Sequence, residues 1–301
     1  MADPLIFSFA MALAISAPAD ETDNHAAEPG EEIVVEGSTS EIRNELRTLL
    51  SESSDQLARV EGHFCPIIMG LGHDLTPKFR ELLNANARDV GIEVPDRPCS
   101  PSAAVIFVDE PQTLAKALRS KNQRWFTGLS RRARDRLLEP VRESYAWQIN
   151  RRWGRNAKNL AQAFEVGSQG WGAATTVSPR ASRLQAPLLQ DIGFTFLLID
   201  IDEIHGVSLG QLADFATLHM MLPLDTDAAE MARPDSLLRL LEVDDPTTLP
   251  ERMGPFDRYL FESLYSIDDN ARPALFQRGK LASLIKQRGS EPSADGDDGD
   301  E

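Results

Sequence analysis

The chain has 301 residues, 42% of them hydrophobic and 26% charged, an ordinary globular composition with length for one large domain or two small ones. Its formal net charge of −16 says little about partners once mapped: fourteen acids lie in residues 20–41 and 291–301, and setting these and Asp3 aside leaves −1. A chain disordered throughout is excluded at this level.

The first segment, MADPLIFSFAMALAISAPADE, carries an apolar run from Leu5 to Ile15 that is too short to span a bilayer. Ala17-Pro18-Ala19 fits the small-residue cleavage pattern, so residues 1–19 read as a signal peptide, with the mature chain starting at Asp20 and a periplasmic or secreted destination. The segment before the apolar run has no Lys or Arg. A buried N-terminal strand or an early start codon is the alternative. Residues 20–40 are expected to form a disordered acidic leader, 41–289 a single α+β domain, and 290–301 a disordered acidic tail. Within the leader, Ile33, Val34 and Val35 form an isolated β-prone triplet that could add as an edge strand to a partner's sheet, pair with this protein's own sheet, or stay disordered.

Residues 41–60 place Ile42, Leu46, Leu49 and Leu50 at helical spacing. GHFCPIIMGL reads as a short strand, and TPKFRELLNANARDVGI as a helix with Thr76 as N-cap, Pro77 in its first turn and Gly91 at its end. SAAVIFVDEP predicts a second buried strand and QTLAKALRS a second helix. The order β-α-β-α suggests neighbouring strands joined by a crossover. That register brings Cys65 and Cys99 together, and in an oxidising compartment their one possible pairing is a disulfide that restricts the unfolded chain. Two buried thiols are the alternative, and the pair lacks the close company a metal site needs.

From Arg119 to Lys158 twelve Lys or Arg stand against three acids, interleaved with aromatic residues. Arg124, Trp125, Arg131, Arg132 and Arg134 are the candidate binding residues for a phosphate-bearing or otherwise anionic partner. The same SRRARDRLLEP also reads as an ordinary helix capped by Ser130, with Ala133, Leu137 and Leu138 inward and its arginines solvated or paired with Asp135 and Glu139. In an exported protein an anionic envelope component is the expected partner rather than nucleic acid. SYAWQIN is a further strand candidate, GSQGWGAATTVSPRAS an excursion or hairpin, and DIGFTFLLIDIDEIHG the strongest strand of all. Ser208 then caps a helix with Leu212, Phe215, Ala216 and Met220 on one face, and helices are expected over 235–242, 255–266 and 273–288. The result is an α+β fold, with a small mixed sheet, crossover helices and a C-terminal group of helices.

No catalytic or metal-binding set and no cofactor site emerges. Of five histidines, His25, His63, His73, His205 and His219, no pair falls at the i, i+4 spacing that aims two imidazoles at one metal. Asp200, Asp202 and Glu203 follow the strongest strand, where alternation sends the first two to solvent. The stretch Ile192 to Leu222, followed by GPFDRYLFESLYS, resembles the end of zincin-like secreted bacterial domains, with Asp257, Leu260, Leu264 and Tyr265 matching a D…L…LY signature. That resemblance implies a hydrolase ancestry, but the helix that should carry two ligands and a glutamate reads Gln211, Leu212, Ala213, Asp214, Phe215. Nothing there would bind zinc and activate its water. The chain as a whole is similar to uncharacterised exported proteins of alphaproteobacteria. EEIVVEG is similar to the E-I-V-V-T-G stretch of TonB-dependent outer-membrane receptors, whose plug and barrel this chain is too short to form. The expected function is a non-catalytic, exported envelope protein that binds through a basic-aromatic surface, and the alternative is a hydrolase of zincin-like ancestry without the usual metal motif.

Overall fold

Among the described residues four strands form one mixed sheet in the order β1-β2-β4-β3, an α+β architecture. The computed structural model describes residues 37–51, 56–154, 188–267 and 273–290, without the side chains of 152–154, 188 and 189. The segment expected to be a signal peptide, the triplet Ile33 to Val35, most of the excursion between the third and fourth strands and the acidic tail lie outside the described residues. All described residues belong to one compact unit with bounds Ile33–Glu301.

The first strand, β1 (Pro66–Met69), runs parallel to β2 (Ala103–Val108), with Pro66 opposite Ala103. Helix α2 (Thr76–Asp89) connects them, as the alternation of strand and helix predicts. β2 is parallel to β4 (Leu188–Asp200), and β4 is antiparallel to β3 (Ser144–Gly154), with Gly154 opposite Leu188. The strongest predicted strand therefore occupies the interior of the sheet, where both faces are covered and a continuous apolar run is stable. β1 ends at Gly70, whose φ of 82° is left-handed; a Cβ there would stand 2.0 Å from the carbonyl oxygen of Phe107.

Cys65, immediately before β1, and Cys99, shortly before β2, are joined by a disulfide with a Cα–Cα distance of 6.3 Å. Beside it the Cys65 amide donates to the Ser102 hydroxyl and the Ser102 amide donates to the Cys65 carbonyl. The covalent link and the start of the parallel ladder fix the same pairing.

One face of the sheet, with Val105, Phe107, Leu197 and Ile199, packs against α1 (Thr39–Leu49), α2, α5 (Leu209–Met221), α7 (Pro255–Tyr265) and α8 (Ala274–Arg288). The other face, with Ala104, Phe196 and Leu198, is covered by α3 (Pro111–Lys121), α4 (Arg131–Leu138) and a 3-10 turn over Gln123–Phe126. α5 is the centre of the larger layer. Its residues Gln211 to Leu218 are all buried rather than a single stripe, so it is a core helix, and a capping box between Ser208 and Gln211 starts it. No helix among the described residues is long and apolar enough to cross a membrane.

Three expectations need correction. The first helix stops at Leu49 instead of running to 60, because Leu50 turns extended and bridges Leu224 while the Asp225 amide takes the Leu49 carbonyl. Thr76 is the first helical residue of α2 and not its cap; its hydroxyl donates back to the carbonyls of Leu71 and Gly72, and Leu75 is the N-cap. Residues 235–242 hold only a 3-10 turn over Leu237–Arg239. There the backbone bonds Arg239 to Ser236 and Leu240 to Leu237 close three residues back, and the Asp257 carboxylate takes the Leu237 amide. The remaining short α6 spans Ala228–Met231.

Candidate functional site

The basic segment folds into two layers. Ser130 caps α4 by accepting from the Ala133 amide, and Leu137 and Leu138 are buried against the sheet, as their spacing predicts. Arg124, Arg131 and Arg132 are exposed, while Arg134 and Trp125 are half-buried. Trp125 turns toward the sheet, its ring 5.9 Å from Phe196 and its carbonyl accepting from the Trp147 indole at 2.8 Å. Arg131 meets Asp135 only at 3.9 Å, with its side chain 90% exposed. The arginines thus form an outward face, and the aromatic residues among them serve mainly as the inward anchor.

The inner side of α4 faces a cavity of about 560 Å³. Its walls come from both layers: Ala133, Arg136 and Leu137 of α4 on one side, Phe215 and His219 of α5 with residues 223–229 on the other. β3, the edge strand between these layers, supplies the middle. Alternation along β3 sends Tyr145, Trp147 and Ile149 into the smaller core, and Ser144, Ala146, Gln148 and Asn150 line the cavity, as does part of Trp147. Gln148 ties the strand to the end of α5, its amide nitrogen donating to the Leu222 carbonyl at 2.6 Å.

Among the charged groups of the wall, Arg136 and Arg142 are matched with Asp225 and Asp227, while Arg47, Glu143 and Glu242 stand outside these pairs. Arg136 lies 3.2 Å from Asp227 and 3.5 Å from Asp225, and Arg142 lies 2.7 Å from the other oxygen of Asp227 and 3.7 Å from Glu230. These pairs join α4 and the start of β3 to residues 225–230 and close one side of the cavity. Burial pushes the Glu242 carboxyl upward, and the nearby Glu230 adds to that shift. His219, its ring 4.4 Å from that of Phe215 and tilted 53° to it, is held down to about 4 by burial, so its imidazole is neutral near neutral pH. Its Nε2 and the Asn150 Oδ1 are buried without a hydrogen-bond partner. Unsatisfied polar atoms of this kind are uncommon in a finished core.

Comparison with known proteins finds no matching family model, curated protein or solved structure.

The residues that carry the zincin-like resemblance have other work. Asp214 is 2% exposed and accepts from the Arg252 guanidinium, the Met253 amide and the Asn86 side chain, locking α2, α5 and the 250–253 loop. Asp257 accepts from the Ser236 hydroxyl and the Leu237 amide; burial outweighs both bonds and raises its carboxyl to about 6. Leu260 and Leu264 are core residues, and the Tyr265 hydroxyl donates to the Met221 carbonyl while accepting from the Val60 amide. Among the described residues no group of three or more His, Cys, Asp or Glu is placed to hold a metal ion. His63 bonds the Ser100 carbonyl, and His205 that of Asp202; neither reaches the cavity wall where His219 lies. Asp200 accepts from the Asp202 amide, forming a turn after β4.

Proposed function

We propose that this chain is an exported envelope protein that acts by binding rather than by catalysis, and that the outer face of α4 with the preceding 3-10 turn receives an anionic envelope component. One observation carries the reading: Arg124, Arg131 and Arg132 are each exposed on a segment anchored from behind by Phe126, Leu137 and Leu138. A rigid base lets three cations meet one surface without ordering a loop first. The disulfide supports an oxidising destination. Against the hydrolase alternative stands α5, whose buried, hydrogen-bonded Asp214 and apolar neighbours leave no open face for ligands at the positions the resemblance would use.

Sedimentation with vesicles of phosphatidylglycerol, compared with phosphatidylcholine, tests the reading. Each arginine near an anionic surface contributes about 1 kcal/mol, so replacing Arg124, Arg131 and Arg132 by Ala should weaken binding about a hundredfold, with the wild-type affinity falling as salt rises. Equal sedimentation with both lipids, or an unchanged affinity in the triple variant, refutes it.

A further inference from the structure

The cavity along β3 is separate from the arginine face and has its own chemistry. We infer that it is a binding site for a small neutral polyhydroxylated molecule, a mono- or disaccharide. A volume of about 560 Å³ is in the range of small-molecule sites.

The lining narrows the class. Hydroxyls and amides are distributed round the wall, with Ser144, Gln148 and Asn150 on β3 and Thr48 and Thr226 opposite. A wholly apolar guest would strip water from these groups and return no hydrogen bond, a cost of roughly 1–3 kcal/mol for each one left unmet. An anion would meet Arg47, the wall arginine outside these ion pairs, together with the carboxylates of Glu143 and Glu242, because Arg136 and Arg142 are already matched by Asp225, Asp227 and Glu230. A cation would meet the Glu143 and Glu242 carboxylates with Arg47 in the same wall and Asp227 shared between two arginines, so neither sign of charge has the wall to itself. What remains suits a guest that donates and accepts in many directions without net charge. Carboxylates engaged in ion pairs still have lone pairs for hydroxyl donors, arginines still have N–H groups for ring and hydroxyl oxygens, and amides do both. Phe215 and His219, their rings tilted 53° to each other, and Leu241 make part of the wall apolar, which suits the C–H groups of a pyranose. The ion pairs between α4 and residues 225–227 cross one side of the space, so it is shaped for a short guest rather than for a strand running through.

Isothermal titration and thermal-shift measurements on the full chain test this, with N-acetylglucosamine and maltose as the neutral probes. Spermidine, inorganic phosphate and dodecanoate stand for a cation, an anion and an apolar chain. Saturable binding of at least one saccharide is expected, weakened at least tenfold by Ala146→Leu, which fills the cavity from β3. If that variant does not keep the wild-type circular dichroism, Thr48→Trp at the exposed rim serves the same purpose without entering the core. The inference is overturned if neither saccharide binds, if only spermidine, phosphate or dodecanoate binds, or if a saccharide binds a folded blocking variant as tightly as the wild type.

Discussion

Replacing Cys65 and Cys99 together by Ala tests how much of this fold depends on its one covalent staple. The two residues are 34 apart in sequence, and the closed loop contains β1 and all of α2. In the chain-entropy model a loop of that length removes about 3.8 kcal/mol of freedom from the unfolded chain. The folded chain loses less, because the two Cys65–Ser102 hydrogen bonds and the Pro66–Ala103 pairing do not involve sulfur. The cost therefore sits mainly in the unfolded ensemble. With a urea slope of about 2–3 kcal/mol/M, the midpoint should fall by about 1–2 M. The slope should also rise, because an unstapled chain exposes more surface when it unfolds. Urea titration of the oxidised wild type and the double variant, followed by tryptophan fluorescence, reads both quantities. A midpoint within about 0.3 M of wild type at equal slope would refute the reasoning, since that shift amounts to under about 1 kcal/mol.

Two further outcomes follow from the buried carboxylates. Asp214→Ala should cost about 2–4 kcal/mol in urea titration, because it leaves the Met253 amide, the Asn86 amide and Arg252 without their shared acceptor. Arg252→Ala should cost at least about 1 kcal/mol less, as Arg252 is half exposed and its loss leaves Asp214 with two donors; equal costs would count against the assignment. Asp257 has a folded value of about 6 against 3.8 for the free group, so the native state keeps its proton to higher pH than the unfolded chain. Its contribution is therefore most favourable below about pH 4 and is lost as pH rises through about 6, a change of about 3 kcal/mol. Asp257→Asn should remove that part of the slope in stability measured from about pH 4 to 7, leaving the part due to Asp191, which burial also raises to about 6. An unaltered pH profile in the variant would refute it.

Local signals carried the fold a long way. The Ser130 and Ser208 caps, the crossover through α2 and the apolar run of β4 were legible because each is written in neighbouring residues, and the cysteine pair followed from the crossover. The ends of elements were not, where distant backbone competes: Leu50 leaves the first helix for a partner near Leu224, and Leu237 is held by Asp257. The cavity had a visible trace in the alternation of Ser144, Ala146, Gln148 and Asn150 with Tyr145, Trp147 and Ile149. A polar set on one face of a strand looks the same whether it meets water or an enclosed space, so the trace could not be read as a site. Asp214 posed the opposite problem. Its role as a shared acceptor has no local signature, because its partners Arg252 and Asn86 lie far away in sequence.

The eight-residue helix α4 has one more consequence. It is a partition with an arginine exterior and a cavity interior, held by two leucines and by the ion pairs of Arg136. If a guest on one side shifts that partition, the affinity on the other side changes, and thermodynamics requires the effect to be equal in both directions. Two chemically unlike ligands would then report on each other without ever touching.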